Sequence, residues 1–268
     1  CNTNPSNQVH VMRTWIVAIL AVLTSTADAA QPTRILSLDL CSDWLLTQYA
    51  HGSQSVTMSP LAQRFPIPTG SSQWPTHNGS LEQILALKPD VVLVGEFNAF
   101  MLRKRLESLG VKVVVTPLPQ TFDDLATIEG TVQTLLGLPA APSAASTKLP
   151  NKALPTSEAT SHGRLLLLGA NGYGTGRNTF EHSLITRAGW TNYIEHNGHV
   201  KLDLEALSAD PPDAIVWTAS ANPALANQFG QHPVLQRAVP AKQWIQTDHW
   251  RWQCPGPWMY DLIEQLQP

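Results

Sequence analysis

Charge is scarce in this chain. Only 14% of its 268 residues are Asp, Glu, Lys or Arg, against roughly 25% in ordinary globular domains, and the net charge is −3. No basic run or patch occurs, which excludes nucleic acid as a partner. The short signatures of common catalytic centres are missing as well. There is no G-x-S-x-G elbow, no H-E-x-x-H, no C-x-x-C and no Gly-Lys-Ser/Thr phosphate loop. The motif-based case for a hydrolase, a zinc enzyme or a nucleotide hydrolase therefore fails, and the chain is expected to be no enzyme. Cysteine is sparse, at three residues. Long apolar runs are absent too, since the longest, Trp15 to Leu23, falls well short of the ~20 residues that span a bilayer.

What is present begins with that apolar run. Met12 and Arg13 precede it, and Ala27-Asp28-Ala29 follows with small residues at cleavage positions, the pattern of an export signal. Residues 1–29 are accordingly set apart from the fold, with 1–11 upstream of a start at Met12. Cys1 is open to a second reading, as the lipid-bearing first residue of a lipoprotein, but the apolar segment directly behind it argues against that use. Loss of Arg13 and Asp28 leaves the net charge unchanged. Cys41 and Cys254 remain in an exported, oxidising setting. They are open to bridging, to ligation of a metal or cofactor, or to simple buried packing. Both follow strands, at the ends where open α/β sheets bind ligands.

The body of the chain alternates short apolar strands with helices, which predicts an α/β fold with mainly parallel sheets. Strands are expected at 34–38, 55–58, 91–94, 111–115, 164–168, 214–217 and 243–245. Helices are expected at 44–50, 98–109, 122–136, 179–188, 234–238 and 258–267, with Asp39 to Asp43 as a polar turn. Residues 139–162, with Pro139, Pro142, Pro150 and Pro155 among Ala, Ser, Thr and Lys, have the composition of a linker. An N-terminal lobe at 30–138 and a C-terminal lobe at 163–268 lie to either side.

One pattern occurs in both lobes. Ser80-Leu81-Glu82 opens a short helix that leads through Pro89-Asp90 into Val91-Val92-Leu93-Val94, and Asp203-Leu204-Glu205 leads through Pro212-Asp213 into Ala214-Ile215-Val216-Trp217. Ser80 and Gln83 have capping-box spacing. Each Glu complements a helix N-terminus, and their recurrence offers two matched carboxylates to a partner. The turn Gly169 to Gly176 lacks the G-x-G-x-x-G order of a nucleotide loop; it borders a cleft, with Tyr173 directed into it. His196 and His199 lie in a Gly/Asn-rich loop without metal-site spacing. Nine Trp occur, and six of them (Trp190, Trp217, Trp244, Trp250, Trp252, Trp258) fall in the last third, enough to wall an apolar site.

From Arg34 onward the order of S-L-D-L-C-S-D, S-L-E-Q-I-L-A-L-K-P-D-V-V-L-V and L-G-V-K-V-V-V resembles the periplasmic substrate-binding proteins of the Fe³⁺-siderophore/vitamin B12 class. Within the class it resembles the cobalamin-binding members. The resemblance implies two Rossmann-like lobes joined by a helical linker, a ligand clamped between them, and a periplasmic monomer. It implies that Glu82 and Glu205 dock on the permease of an ABC importer. Trp74 and the loop Asp248-His249-Trp250-Arg251-Trp252 resemble the class's cleft elements, and the cleft is expected to be walled by Trp74, Phe97, Tyr173, Trp250 and Trp252, with Asp43 and Arg251 as polar orienters. The expected cargo is a metal chelate (corrinoid, haem or ferric siderophore), with no resident cofactor. The alternative is a bare transition metal held by Cys41, Cys254 and nearby His. The linker prolines depart from the class, since an interior Pro costs a helix ~3 kcal/mol. The two cysteines depart from it as well.

Overall fold

The computed structural model describes residues 32–50, 54–65, 74–139, 162–219 and 224–267. The expected export signal lies outside these residues, as does nearly all of the expected linker. Two sheets organise what is described. In the first, β1 (Arg34–Ser37), β2 (Ser55–Thr57), β3 (Val91–Gly95) and β4 (Val113–Thr116) run in the order β2-β1-β3-β4, all parallel. In the second, β5 (Arg164–Leu168) pairs in parallel with β7 (Thr191–Asn192) and β9 (Ala214–Trp217), and β9 with β10 (Trp244–Ile245). An antiparallel ribbon of β6 (Tyr173–Thr175) and β8 (His199–Lys201) extends that sheet. The chain is a two-lobed α/β protein with mainly parallel sheets.

The central strands β3, β5 and β9 read as nearly unbroken apolar runs because both of their faces are covered. Ile35, Val91 and Leu93 from the first sheet and Leu165, Leu167, Ala214 and Val216 from the second all feed one core cluster. Their alternate neighbours face outward, Leu36 and Val92 into a second cluster and Leu166, Leu168 and Ile215 into a third. The helices α1 (Leu40–Tyr49), α4 (Phe122–Leu135) and α5 (Phe180–Arg187) cover the shared inner side, joined by the C-terminal α8 (Asp261–Gln265). The outer faces take α2 (Leu81–Ala86), α3 (Phe100–Ser108), α6 (Leu204–Ala209) and α7 (Pro233–Ala238) through Ile84, Leu106, Leu207 and Leu235.

The repeated Pro-Asp pair has a structural task in each lobe. The Asp90 carboxylate accepts the backbone N–H groups of Thr33 and Arg34 and pairs with the Arg34 guanidinium at 2.7 Å. Asp213 accepts the Arg164 N–H at 2.6 Å, while the Arg164 guanidinium turns to Asp210 at 2.7 Å. Each aspartate thus ties the start of its own strand to the start of the lobe's first strand. The Arg34 side chain, and then the N–H groups, hold the Asp90 carboxyl well below the usual carboxylate range.

Three local expectations change. Asp39 to Asp43 is the cap and first turn of α1 and not a loop: the Asp39 side chain accepts from the N–H groups of Cys41 and Ser42. The Ser80 hydroxyl caps α2 through the Gln83 N–H, but the Gln83 side chain accepts from Asn78, so the reciprocal half of the box is not made. The full box occurs instead at Thr121 and Asp124 on α4. Finally, the Gly-rich turn folds into a single 3₁₀ turn, Ala170–Gly172, followed by β6.

Two buried carboxylates near β1 give measurable consequences. Buried Asp39 accepts from Cys41, Ser42 and, at 2.7 Å, the Gly95 N–H at the exit of β3. Asp39→Ala leaves those donors unpaired, and a loss of about 3 kcal/mol is expected in urea unfolding, with Asp39→Asn losing less. Asp43 is fully buried, accepting from the Ser59 N–H at 2.7 Å and its hydroxyl at 2.5 Å. Burial outweighs those bonds and pushes its pKa up from 3.8 to about 6. Between 3.8 and about 6 the folded protein keeps a proton that the unfolded chain has released, so this group lowers stability as pH rises through that window, by about 3 kcal/mol in all. His77 and His182, held below the usual histidine range by burial, act in the opposite sense near neutrality. The test is therefore a difference: between pH 4 and 6.5 the Tm of the wild type should fall relative to that of Asp43→Asn, and parallel curves would remove the titration from Asp43.

Candidate functional site

The carboxyl ends of parallel strands are where loops leave a sheet and leave room for a ligand. In the first lobe these ends belong to β1, β3 and β4. They surround a cavity of about 160 Å³ with Cys41, Gly95 to Asn98, and Thr116 to Pro119. The second lobe closes it with Pro255, from the loop that follows β10. Gly95 packs closely here: a Cβ would come within 2.9 Å of the Asn98 side-chain amide, which would have to swing aside. The Glu96 carboxylate accepts from the Leu118 N–H at 3.1 Å and so binds the β3 exit to the β4 exit. Above this floor the wall is apolar and open, with Phe97 76% and Leu118 52% exposed.

The Trp-rich loop, which reaches the cavity through Pro255, winds into a 3₁₀ segment at His249–Gln253. Trp250 is half-buried, edge-on to Trp44 of α1 with centroids 5.6 Å apart, and lies under the Arg251 guanidinium at 4.5 Å. Trp44 meets Trp258 edge-on as well, at 5.1 Å. Arg251 is only 11% exposed, with its charge committed to Asp248 at 3.0 Å and Asp261 at 2.8 Å. That pairing holds the Asp248 carboxyl below its usual range.

Cys41 and Cys254 form a disulfide, with Cα atoms 5.3 Å apart and a separation of 213 positions in sequence. It joins the first turn of α1 to the Trp-rich loop beside Pro255. Both sulfurs are used, so the pair cannot ligate a metal. Among the described residues no cluster of three or more His, Cys, Asp or Glu is placed to hold a metal ion. Binding of a bare metal through these cysteines is not favoured.

The expected site residues divide by placement. Phe97 lines the cavity and Trp250 stands in the loop that closes it. Tyr173 is on β6, 46% exposed, with the Lys201 ammonium 5.4 Å from its ring. Trp74 is half-buried against the main core cluster. Trp252 belongs to that core, its indole N–H donating to Thr247, and Asp43 is sealed inside and bonded to Ser59. Arg251 braces its own loop. Burial therefore removes Asp43 and Trp252 from the exposed wall. Glu82 and Glu205 are both exposed in the first turns of α2 and α6, at matching places in the two lobes. Glu96, Asn98, Leu118 and Pro255 escaped sequence reading, although Glu96 directly follows β3 and Pro255 directly follows a cysteine already singled out.

No curated protein matches the chain. Solved structures similar to it include a periplasmic haem-binding protein from Pseudomonas aeruginosa, 23% identical, with TM-score 0.67 over 88% of this chain and 91% of that one. The periplasmic haem-binding protein HutB of Vibrio cholerae is 18% identical, with TM-score 0.67 over 88% of this chain and 97% of that one. The periplasmic vitamin B12 binding protein BtuF of Vibrio cholerae is 15% identical, with TM-score 0.60 over 88% and 95%. At these identities the likeness is one of fold, two α/β lobes around a cleft. The sequence itself matches a family profile described as periplasmic binding protein over residues 39–249, from the cap of α1 to the Trp-rich loop, and the chain belongs to that family.

Proposed function

We propose that this protein receives a metal chelate in the periplasm and delivers it to an ABC importer. The observation that carries this reading is the cavity at the strand ends, with its exposed apolar rim of Phe97 and Leu118. Such a surface suits the apolar face of a corrinoid, a haem or a ferric siderophore, and apolar burial at ~25 cal/mol per Å² supplies the affinity before ordering costs. The fold likeness to haem and vitamin B12 binding proteins supports the same cargo class. In this reading Phe97 and Trp250 are ligand contacts and Tyr173 and Trp74 extend the wall, while Arg251 and Asp43 support it from behind. Residues 1–29 serve as the export signal, residues 139–162 as the interlobe linker, and the protein acts as a monomer.

Glu82 and Glu205 are the proposed permease contacts. They sit at equivalent, solvent-facing positions on the outer helices of the two lobes, and charges at a rim chiefly set orientation and association rate.

Two measurements test this function. Haemin and cyanocobalamin are titrated into the purified protein and followed by visible absorption; at least one is expected to bind, and Phe97→Ala is expected to weaken it about tenfold. If neither probe nor any ferric chelate binds, the chelate reading is lost. For the importer contact, Glu82→Ala/Glu205→Ala should bind the probe as the wild type does yet no longer support uptake into cells. Normal uptake by the double variant would sink the docking role.

A further inference from the structure

The cavity floor is small. Small-molecule sites typically enclose roughly 300–1,000 Å³, and this one holds about 160 Å³. Its two sides are joined by a covalent bond. Cys41 is itself a lining residue, and Cys254, 2% exposed, immediately precedes Pro255, the lining residue from the other lobe. The same two segments also meet through Trp44 with Trp250 and Trp258. A second seam lies at the start of α4, where Phe122 packs edge-on against Phe180 at 5.2 Å and Ser183 donates to the Gln120 carbonyl.

We propose that the Cys41–Cys254 bond is a positioning element that fixes the width of the cleft floor and so selects how much of a ligand is admitted there. This deepens the chelate-binding reading and rests on it for the ligand's nature. Because the bond spans the floor, the lobes cannot part at that point. Only a ring edge or a short side arm enters the cavity, and the remaining body of the chelate lies on the rim against Phe97 and Leu118. Removing the bond frees Pro255 and the Trp-rich loop to move away from α1. The floor widens, and a bound chelate is held less long.

The first readout needs no ligand. Amide hydrogen exchange is compared in oxidised wild type, wild type reduced with tris(carboxyethyl)phosphine, and Cys41→Ala/Cys254→Ala. Exchange in 95–98 and 248–257 is expected to rise about tenfold without the bond, while the central strands β3 and β5 keep their protection. Unchanged loops overturn the proposal. So does a uniform rise through both sheets, or unfolding of both the variant and the reduced protein, since each assigns the bond to overall stability. The second readout is dissociation of haemin or cyanocobalamin, expected to be about tenfold faster from the double variant, because changes at a binding surface act mainly on the off-rate; an unchanged rate also overturns it. Failure of the wild type to bind either probe counts against the chelate reading alone, and the exchange data still decide the role of the bond.

Discussion

A single carboxylate holds the binding end of the first lobe together. Asp39 caps α1 through Cys41 and Ser42 and takes the Gly95 N–H from the neighbouring strand exit. Three features that the chain could place independently, the end of β1, the start of α1 and the end of β3, are thereby fixed to one another. Cys41 is set at the cavity edge as a result, within reach of Cys254. Charge-assisted bonds to backbone N–H groups are among the stronger ones in a protein interior, and this one lies beneath both the cavity and the disulfide. The bridge between the lobes depends on it, because a cysteine at the start of a loosely placed helix would not meet a partner 213 residues away.

The pattern shared by the two lobes is of the same kind. Short outer helices carry Glu82 and Glu205, but what holds each unit in register is the aspartate after the proline. Asp90 and Asp213 bind the N–H groups at the head of β1 and β5, at the end of the sheet opposite the cleft. Strand heads are clamped by carboxylates, and strand exits are left for loops. That division braces the sheet at one end and leaves the other to its connecting loops.

Much of this was legible in the sequence. Strands such as Val91 to Val94 and Leu165 to Leu168 are apolar on both faces, so composition alone marks them. Leu81-Glu82 and Leu204-Glu205 read correctly as helix starts because Ser80 and Asp203 cap them. The missed elements have physical reasons. β6 and β8 are three residues each and rich in Gly, His and Lys, so they exist only through pairing with one another and with β5. The stretch Asp39 to Asp43 has the composition of a loop, and only the cap geometry makes it helical. Asp43 resembles a cleft acid in sequence, yet its carboxylate is taken by Ser59 from a segment that no local pattern connects to it. Arg251 likewise resembles a ligand contact until Asp261, on another element, claims its charge. Whether Cys41 and Cys254 meet was also beyond local pattern, since it depends on how the two lobes sit together.

The polar groups around the cleft serve mainly to brace it. Arg251 pairs with Asp248 and Asp261, and Glu96 ties its loop to Leu118. The Trp258 indole donates to the Cys254 carbonyl at 2.7 Å, closing the Trp-rich loop on itself. Phe97 and Leu118 are left exposed beside these braced groups. A preorganised wall avoids the ~0.5–1.5 kcal/mol that each newly immobilised side chain costs on association. Of the charges beside the cleft, Arg251 is held by Asp248 and Asp261 and Glu96 by the Leu118 N–H, while Phe97 and Leu118 face outward.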